Sequence, residues 1–472
     1  MEVVILAAGK GTRMHSALPK VLHQIGGRPM LLRVLDAAVS LSPDAIHVVV
    51  GVGAERAIAI AEEAYPAAGI NWVTQKEQLG TGHAVREALP GLKQSDADNS
   101  VLILFGDVPL ITRSTLQQVI DHCGPEQVSL LTSRVSLPEG FGRIIRNRDG
   151  DVAAIVEELD ASTEQKRIKE VNSGIMAIPA LRLRAWLDAL DTGNDQGEYY
   201  LTDIVAMAHA DEVRIRATVV DETEVIGVNN KSQLAFLERH YQMGIANTLL
   251  EQGVILLDPA RLDVRGDVDC GRDVQIDVNV VLEGQVRLGD GVTVGANCVI
   301  KDSTIGTGTK ILAGTHIEGA EIGKQISIGP MARIRPGTVL GDGCKIGNFV
   351  ETKNAVIGEG SKANHLAYIG DAVIGDDCNI GAGAVFCNYD GANKHQTRLG
   401  NHVFVGSNSV LIAPVTLEDN AFVAAGSLSP VMCRPAASRL LGSNSATFRA
   451  GKGREKSRPT AEICRLRAQR PE

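Results

Sequence analysis

Several short stretches of the chain carry side chains whose types and spacing suit phosphate, cation or proton chemistry. Gly9-Lys10-Gly11-Thr12-Arg13 follows the apolar run 2–6. Its glycines let backbone N–H groups approach a phosphate closely, and Arg13, with Lys20 just after Pro19, supplies positive charge. The spacing is neither that of the Walker loop nor that of the dinucleotide fingerprint, so this stretch alone also fits a tight strand-to-helix turn. Gln75-Lys76-Glu77-Gln78-Leu79-Gly80-Thr81-Gly82-His83-Ala84 again sets small residues at a strand-to-helix junction. Phe105-Gly106-Asp107-Val108-Pro109 places a carboxylate directly after the apolar run 101–105. There it suits Mg²⁺, which prefers hard oxygens and substrate phosphates, and equally well the N-cap of a helix. In the second half, His365 stands in Lys362-Ala363-Asn364-His365-Leu366-Ala367-Tyr368. An imidazole is the side chain best matched to taking a proton near pH 7, although an isolated histidine in a turn is ordinarily just a surface residue.

The elements that must position these residues differ between the halves. In the first, apolar runs at 2–6, 46–50 and 101–105 alternate with amphipathic helical patterns at 29–41 and 114–123, which predicts βα units and a mostly parallel sheet covered on both faces. Ligands then sit beyond the carboxyl ends of the strands, where the glycine-rich loops and Asp107 lie. Residues 232–251 carry Leu234, Leu237, Tyr241, Ile245 and Leu249 at helical spacing and predict a connecting helix.

The second half has a period of six. Leu288, Val294 and Ile300, then Ile305, Ile311 and Ile317, then Ile322, Ile328, Ile334, Leu340 and Ile346 keep one phase each, and the pattern resumes in runs that reach Val423. Glycine usually follows the aliphatic, and a small residue stands four places after it. Neither a helix nor a lone strand repeats every six residues, whereas a parallel β-helix with three short faces per coil does. At eighteen residues per coil, about nine or ten coils are expected. The 50 glycines bear this out, with 27 of them between Gly253 and Gly426. They are expected at turns needing φ > 0 or close backbone approach, and Cys298, Cys344 and Cys378, at the small-residue position, are expected to be core fillers. The stretch 387–398 interrupts the repeat and predicts a projecting loop on a binding face.

Composition narrows the function. Hydrophobic residues make up 44% of the chain and charged ones 22%, which excludes a disordered protein. No apolar run approaches the ~18–20 residues of a membrane span. Residues 431–472 hold ten Lys and Arg against three Glu, so the body is more acidic than the chain's net −9 and nucleic acid is not expected as its partner. The eight cysteines show no metal-ligand spacing, which argues against zinc and disulfides and for a reduced, cytoplasmic setting.

Taken in order, Leu6-Ala7-Ala8-Gly9-Lys10-Gly11-Thr12-Arg13-Met14 with Leu18-Pro19-Lys20, Gln78-Leu79-Gly80-Thr81-Gly82-His83, Gly106-Asp107-Val108-Pro109, Gly140-Phe141-Gly142-Arg143-Ile144 and Gly197-Glu198-Tyr199-Tyr200-Leu201-Thr202-Asp203 closely resemble the bacterial bifunctional N-acetylglucosamine-1-phosphate uridyltransferase/glucosamine-1-phosphate acetyltransferases. The resemblance runs from residue 1 to about Gly426. It implies an α/β nucleotidyltransferase domain (1–228), a linker helix (229–252) and a left-handed β-helix of hexapeptide repeats (253–428), with an atypical basic tail (429–472) that we expect to be disordered. It further implies that Leu6, Ala7, Ala8, Gly9, Arg13 and Lys20 meet UTP and its phosphates, that Gln75, Gly80 and Thr81 hold the uracil, that Gly142, Glu157 and Asn172 meet the sugar, and that Asp107 and Asn229 hold Mg²⁺. In the β-helix it implies His365 as general base with Glu351 as orienting partner, Arg335, Lys353, Tyr368, Asn379 and Lys394 for glucosamine 1-phosphate, and Ala382, Asn388, Tyr389, Ser407 and Ala425 for acetyl-CoA. A homotrimer with acetyl-transfer sites between neighbouring prisms belongs to the same expectation. Phe105 stands where the family pattern has Tyr. A nucleotidyltransferase whose β-helix serves only assembly is the alternative. Lys353, His365, Tyr368 and the 388–394 insertion argue against it, because a structural coil needs none of them. A non-catalytic scaffold is a third, opposed by the intact Arg13, Lys20, Asp107 and Asn229.

Overall fold

The computed structural model describes residues 1–93, 99–429, 437–439 and 447–449. The expectation of a disordered tail falls largely outside them. Two compact units are present: Met1–Gln252 with Asp258–Asp267, and Gly253–Leu257 with the chain from Val268 onward.

In the first unit the strands run, across the sheet, Arg214–Val220, Gln127–Arg134, Glu170–Pro179, Ser100–Phe105, Glu2–Ala7, Ala45–Gly51 and Asn71–Gln75. All neighbours are parallel except at Glu170–Pro179, which runs antiparallel to both strands beside it. The period-2 alternation of the central strand feeds two cores: Val4 and Leu6 pack with Val85, Trp186 and Leu187 on one face, and Val3 and Ile5 with Leu31, Leu35 and Leu116 on the other. The expected helices lie at Met30–Ser40 and Arg113–Asp121. Thr112, and not Asp107, caps the second of these, accepting a hydrogen bond from Thr115 N at 3.2 Å, which leaves the Asp107 carboxylate free for other work. Lys231–Glu251 is one helix, capped by Asn230. Leu237 is buried against Met14, Ile25, Met30 and Val228, while Gln242 brackets the backbone of Val264 through two hydrogen bonds of 2.7 and 2.8 Å. Tyr241 takes the Arg33 guanidinium over its ring at 4.0 Å. Among the described residues no helix is long and apolar enough to cross a membrane.

The second unit is a stack of parallel coils. One sheet holds ten short strands, from Ile255–Leu256 to Phe422–Val423, in unbroken sequence order, in keeping with the coil count read from the repeat. The six-residue aliphatics are all buried, and Cys298, Cys344 and Cys378 fill inward corners, where burial pushes their thiols up and each donates to a carbonyl at 3.0 to 3.2 Å. Of the two reasons offered for glycine, close approach is the one that operates at the position after the aliphatic. A Cβ on Gly306 would meet the Gly323 oxygen at 2.5 Å, and one on Gly406 the Ala425 nitrogen at 2.3 Å. Apart from Gly329, at φ +100°, the left-handed φ values fall elsewhere, as at Gly308, Gly343 and Gly360. An aromatic ring does fit inside at one inward slot, Phe386, just before the insertion.

Candidate active sites

In the α/β unit the carboxyl ends of the strands open onto a basin of about 510 Å³. Leu6, Ala7, Ala8, Gly9, Lys20, Gln75, Gly80, Thr81, Asp107, Gly142, Glu157, Asn172 and Asn229 all line it, and Arg13 reaches its wall by donating to Asn229 Oδ1 at 3.3 Å. Local backbone chemistry sets each wall. Gln78 donates to the Ala8 carbonyl and ties the first two loops together. Gly80 has φ +107°, and a Cβ there would come within 2.6 Å of the Tyr199 carbonyl, so only glycine lets the loop close against 198–201. Gln75 lies within hydrogen-bond distance of His83 Nδ1, 3.0 Å away. The sugar-side wall is a bulge in Glu170–Pro179, where Asn172 N donates to Gly142 O at 2.8 Å and Gly174 N to Asn172 Oδ1 at 3.0 Å. Gly174 is small because the Phe105 ring fills the space a Cβ would take. Glu157 accepts from Thr202 Oγ1 at 3.0 Å, and burial pushes its carboxyl above the usual carboxylate range.

The two residues expected to hold a cation converge. Lys20 Nζ sits between them, paired with Asp107 Oδ2 and 3.2 Å from Asn229 Oδ1, so a positive group already rests on both oxygens. Carboxylate and amide oxygens are the hard donors Mg²⁺ prefers, and the donor set therefore fits. Among the described residues no three His, Cys, Asp or Glu side chains converge as a closed metal cage. A cation on this pair would keep most of its shell for phosphate oxygens and water, as Mg²⁺ does. Phe105, Gln78, Glu198 and Thr202 also line or brace the basin; their motifs were visible in the sequence but their reach into it was not.

The β-helix residues fall on two of its faces. Lys353 and Tyr368 lie on one sheet, in the adjacent strands Glu351–Ile357 and Tyr368–Ile374. Arg335 follows Arg333–Ile334 of that sheet and pairs with Glu351 at 2.8 Å. Asn388, buried, lies 3.5 Å from the Tyr368 hydroxyl. Its loop is closed by a bridge between Tyr389 and Lys394 and by backbone donors onto Asp390. Lys394 lies close enough to Lys353 for that ammonium to hold it below the usual lysine range. His365 and Asn379 stand on the ten-stranded sheet instead. Ala382, Ser407 and Ala425 form a column, each two residues after a buried aliphatic of successive coils. Glu351, committed to Arg335, is not what orients His365. Asn348, one coil earlier in register, has its Oδ1 2.6 Å from His365 Nδ1. That contact holds the tautomer with Nδ1–H donating, which leaves Nε2 open as a proton acceptor.

Two family models match the chain, the MobA-like NTP transferase domain over residues 3–171 and the GMPPB C-terminal domain over residues 264–346 and 322–431. The bifunctional protein GlmU of Stutzerimonas stutzeri is 54% identical over 428 residues, covering 90% of this chain and 93% of that protein. Those of Marinobacter nauticus and of an Azoarcus species are each 53% identical over the same shares. The chain belongs to the bifunctional GlmU family. The GlmU match covers both units, so the α/β basin and the β-helix faces are to be explained together.

Proposed function

We propose that the two activities of the GlmU family are divided between the two units of this chain, with acetyl transfer on the β-helix and uridylyl transfer in the α/β basin. The enzyme is a bifunctional transferase of UDP-N-acetylglucosamine synthesis, joining a glucosamine-1-phosphate acetyltransferase to an N-acetylglucosamine-1-phosphate uridyltransferase. The observation that carries the division is that the cationic pair Arg13 and Lys20 meets the oxygen pair Asp107 and Asn229 in one basin, while His365 with its Asn348 support lies in the other unit.

In the basin, a phosphate oxygen of N-acetylglucosamine 1-phosphate attacks the α-phosphorus of UTP, a P–O bond forms, and the bond to pyrophosphate breaks. No protein nucleophile is needed; positioning and neutralisation of the developing charge suffice. Arg13 and Lys20 take the triphosphate, Gln75, Gly80 and Thr81 the base, and Gly142, Glu157 and Asn172 the sugar. Asp107 and Asn229 would hold Mg²⁺, which when bound supplies charge neutralisation at the phosphates. As substrate phosphates arrive, Lys20 moves its ammonium from Asp107 to them.

On the β-helix, the amine of glucosamine 1-phosphate attacks the thioester carbon of acetyl-CoA, its proton passes to His365 Nε2, the C–S bond breaks, and that proton goes on to the leaving sulfur, which departs as the thiol. Arg335, Lys353, Tyr368, Asn379 and Lys394 bind the sugar phosphate. Ala382, Asn388, Tyr389, Ser407 and Ala425 border acetyl-CoA. In line with the family resemblance, we assign the enzyme a homotrimeric assembly in which neighbouring prisms complete each acetyl-transfer site. The six described cysteines are all free thiols, in keeping with a cytoplasmic enzyme. We retain 1–228, 229–252 and 253–428 as the functional divisions of the chain. The test is a pair of assays on the full chain, thiol release from acetyl-CoA with glucosamine 1-phosphate and pyrophosphate release from UTP with the acetylated sugar phosphate. Both proceed on this account; a silent first assay beside an active second leaves a nucleotidyltransferase with a β-helix used only for assembly.

A further inference from the structure

Beneath the acetyl-transfer residues lies a carboxylate to which no role has yet been given. Asp371 is buried in the strand Tyr368–Ile374, one residue past Gly370. Its Oδ1 accepts from Asn354 Nδ2 at 2.7 Å, and its Oδ2 from Asn388 Nδ2. Asp371 and Asn354 both have left-handed backbones, φ +47° and +45°, at a corner where earlier coils place Gly319 and Gly337. Aspartate and asparagine are the side chains that adopt this conformation most readily, and Asp302, in the same column, shares it at φ +43°.

A stack of turn residues could be satisfied by amides alone, as Asn279 and Asn297 show elsewhere in the coil, where the amide of one donates to the other at 2.9 Å. A charge at this place has a different consequence. Lys353 and Lys394 are the groups whose fields reach Asp371, along with the amides of Asn354 and Asn388. Burial pushes the Asp371 carboxyl up, but the two amide donors and the two ammonium groups outweigh it, and it stays ionised below the usual carboxylate range. In return Asp371, with a smaller contribution from Tyr368, opposes the repulsion that Lys353 exerts on Lys394. The same carboxylate also grips Asn388, the residue from which the insertion loop carrying Lys394 projects. Gly370 lets the Tyr368 hydroxyl and the Asn388 amide close in beside it, since a Cβ there would meet them at 2.5 Å and 2.8 Å.

We propose that Asp371 is a positioning residue of the acetyl-transfer site, seating the 388–396 loop through Asn388 and setting a negative charge beside Lys353 and Lys394, so that both cations are held toward the phosphate of glucosamine 1-phosphate. The inference rests on the assignment of that site under the proposed function.

Asp371→Asn tests it, because asparagine tolerates the left-handed conformation and keeps the shape while removing the charge and turning one amide donor towards another. The KM for glucosamine 1-phosphate should therefore rise about tenfold or more, with kcat changed less than twofold and pyrophosphate release unchanged. The alkaline limb of thiol release should move to lower pH, since Lys394 without the opposing carboxylate loses its proton earlier. Combining Asp371→Asn with Asn388→Asp restores a donor–acceptor pair and should recover part of the lost affinity. Lys353→Ala serves as the control for the site itself. If Lys353→Ala raises the KM and Asp371→Asn moves neither KM nor the alkaline limb, the inference is wrong and the site stands. If neither variant affects thiol release, the site assignment itself fails. A fall in kcat and melting temperature without a change in KM would make Asp371 a structural residue only and overturn the proposal.

Discussion

On the function proposed above, the α/β unit and the β-helix bind phosphate-bearing sugars by opposite strategies. In the first, loops from several strands close a concave basin around hard oxygens and backbone donors, and a glycine such as Gly80, with φ +107°, lets one loop approach another. In the second, the scaffold is a repeat whose glycines after the aliphatics hold coils at strand spacing; Gly306 faces only the backbone of the coil beyond it. On that proposal, chemistry there depends on departures from the repeat: His365 at the end of a coil strand, the 388–396 insertion, and a buried charge at Asp371. A glycine in a loop-built basin serves function, whereas a glycine in a coil serves spacing.

The sharpest way to break this comparison is a pair of lesions. Asp107→Ala should lower pyrophosphate release on the order of a thousandfold and leave thiol release intact. His365→Ala should cut thiol release by roughly a hundred- to ten-thousandfold and spare pyrophosphate release. A lesion that depressed both activities would contradict the separation. Next in size, Asn348→Ala should reduce kcat for thiol release about tenfold with KM unmoved, because the imidazole loses the bond that fixes its tautomer; Glu351→Ala should act on KM, through Arg335. If the Glu351 variant alone lowered kcat, the assignment of the orienting residue would be reversed.

Two smaller effects concern stability. Gly306→Ala forces a methyl against the Gly323 carbonyl and should destabilise the β-helix by about 1–3 kcal/mol, read as a lower melting temperature with pyrophosphate release retained. Glu157→Gln works in the other direction. Burial raises the Glu157 carboxyl, so its ionised form costs the folded state at pH 7. That cost disappears below the ordinary carboxylate range, where the group is protonated both folded and unfolded. The variant should melt about 1–2 °C higher at pH 7 and no higher at low pH, while binding the sugar phosphate less well. Equal melting shifts at both pH values would exclude the buried charge as the cause.

How much of this was legible in the sequence follows from the same contrast. The six-residue phase located the coil interiors because a narrow prism admits few alternatives, and even its exceptions, Thr352 and Phe386, keep the inward position. The basin's glycines and Asp107 were legible because they stand where a strand must end. The partner of His365 was not: Asn348 lies seventeen residues earlier and reaches the imidazole only through coil register, while the nearby Glu351 is drawn off by Arg335. Asp371 could not be singled out from the sequence, since neither its burial nor its reach to Asn388 across seventeen residues leaves a local pattern. The position after the aliphatic suggested positive φ or close approach, and only the stacking of coils decides for the latter at every such glycine but Gly329.

The most direct test of two independent sites in one chain mixes two defective enzymes. Full-length Asp107→Ala and His365→Ala proteins, each unable to convert glucosamine 1-phosphate, acetyl-CoA and UTP into UDP-N-acetylglucosamine, are combined in equal amounts and the product is measured. The account predicts that the mixture makes the UDP-sugar, the first variant supplying the acetylated intermediate and the second consuming it. A mixture as inactive as either protein alone would contradict it.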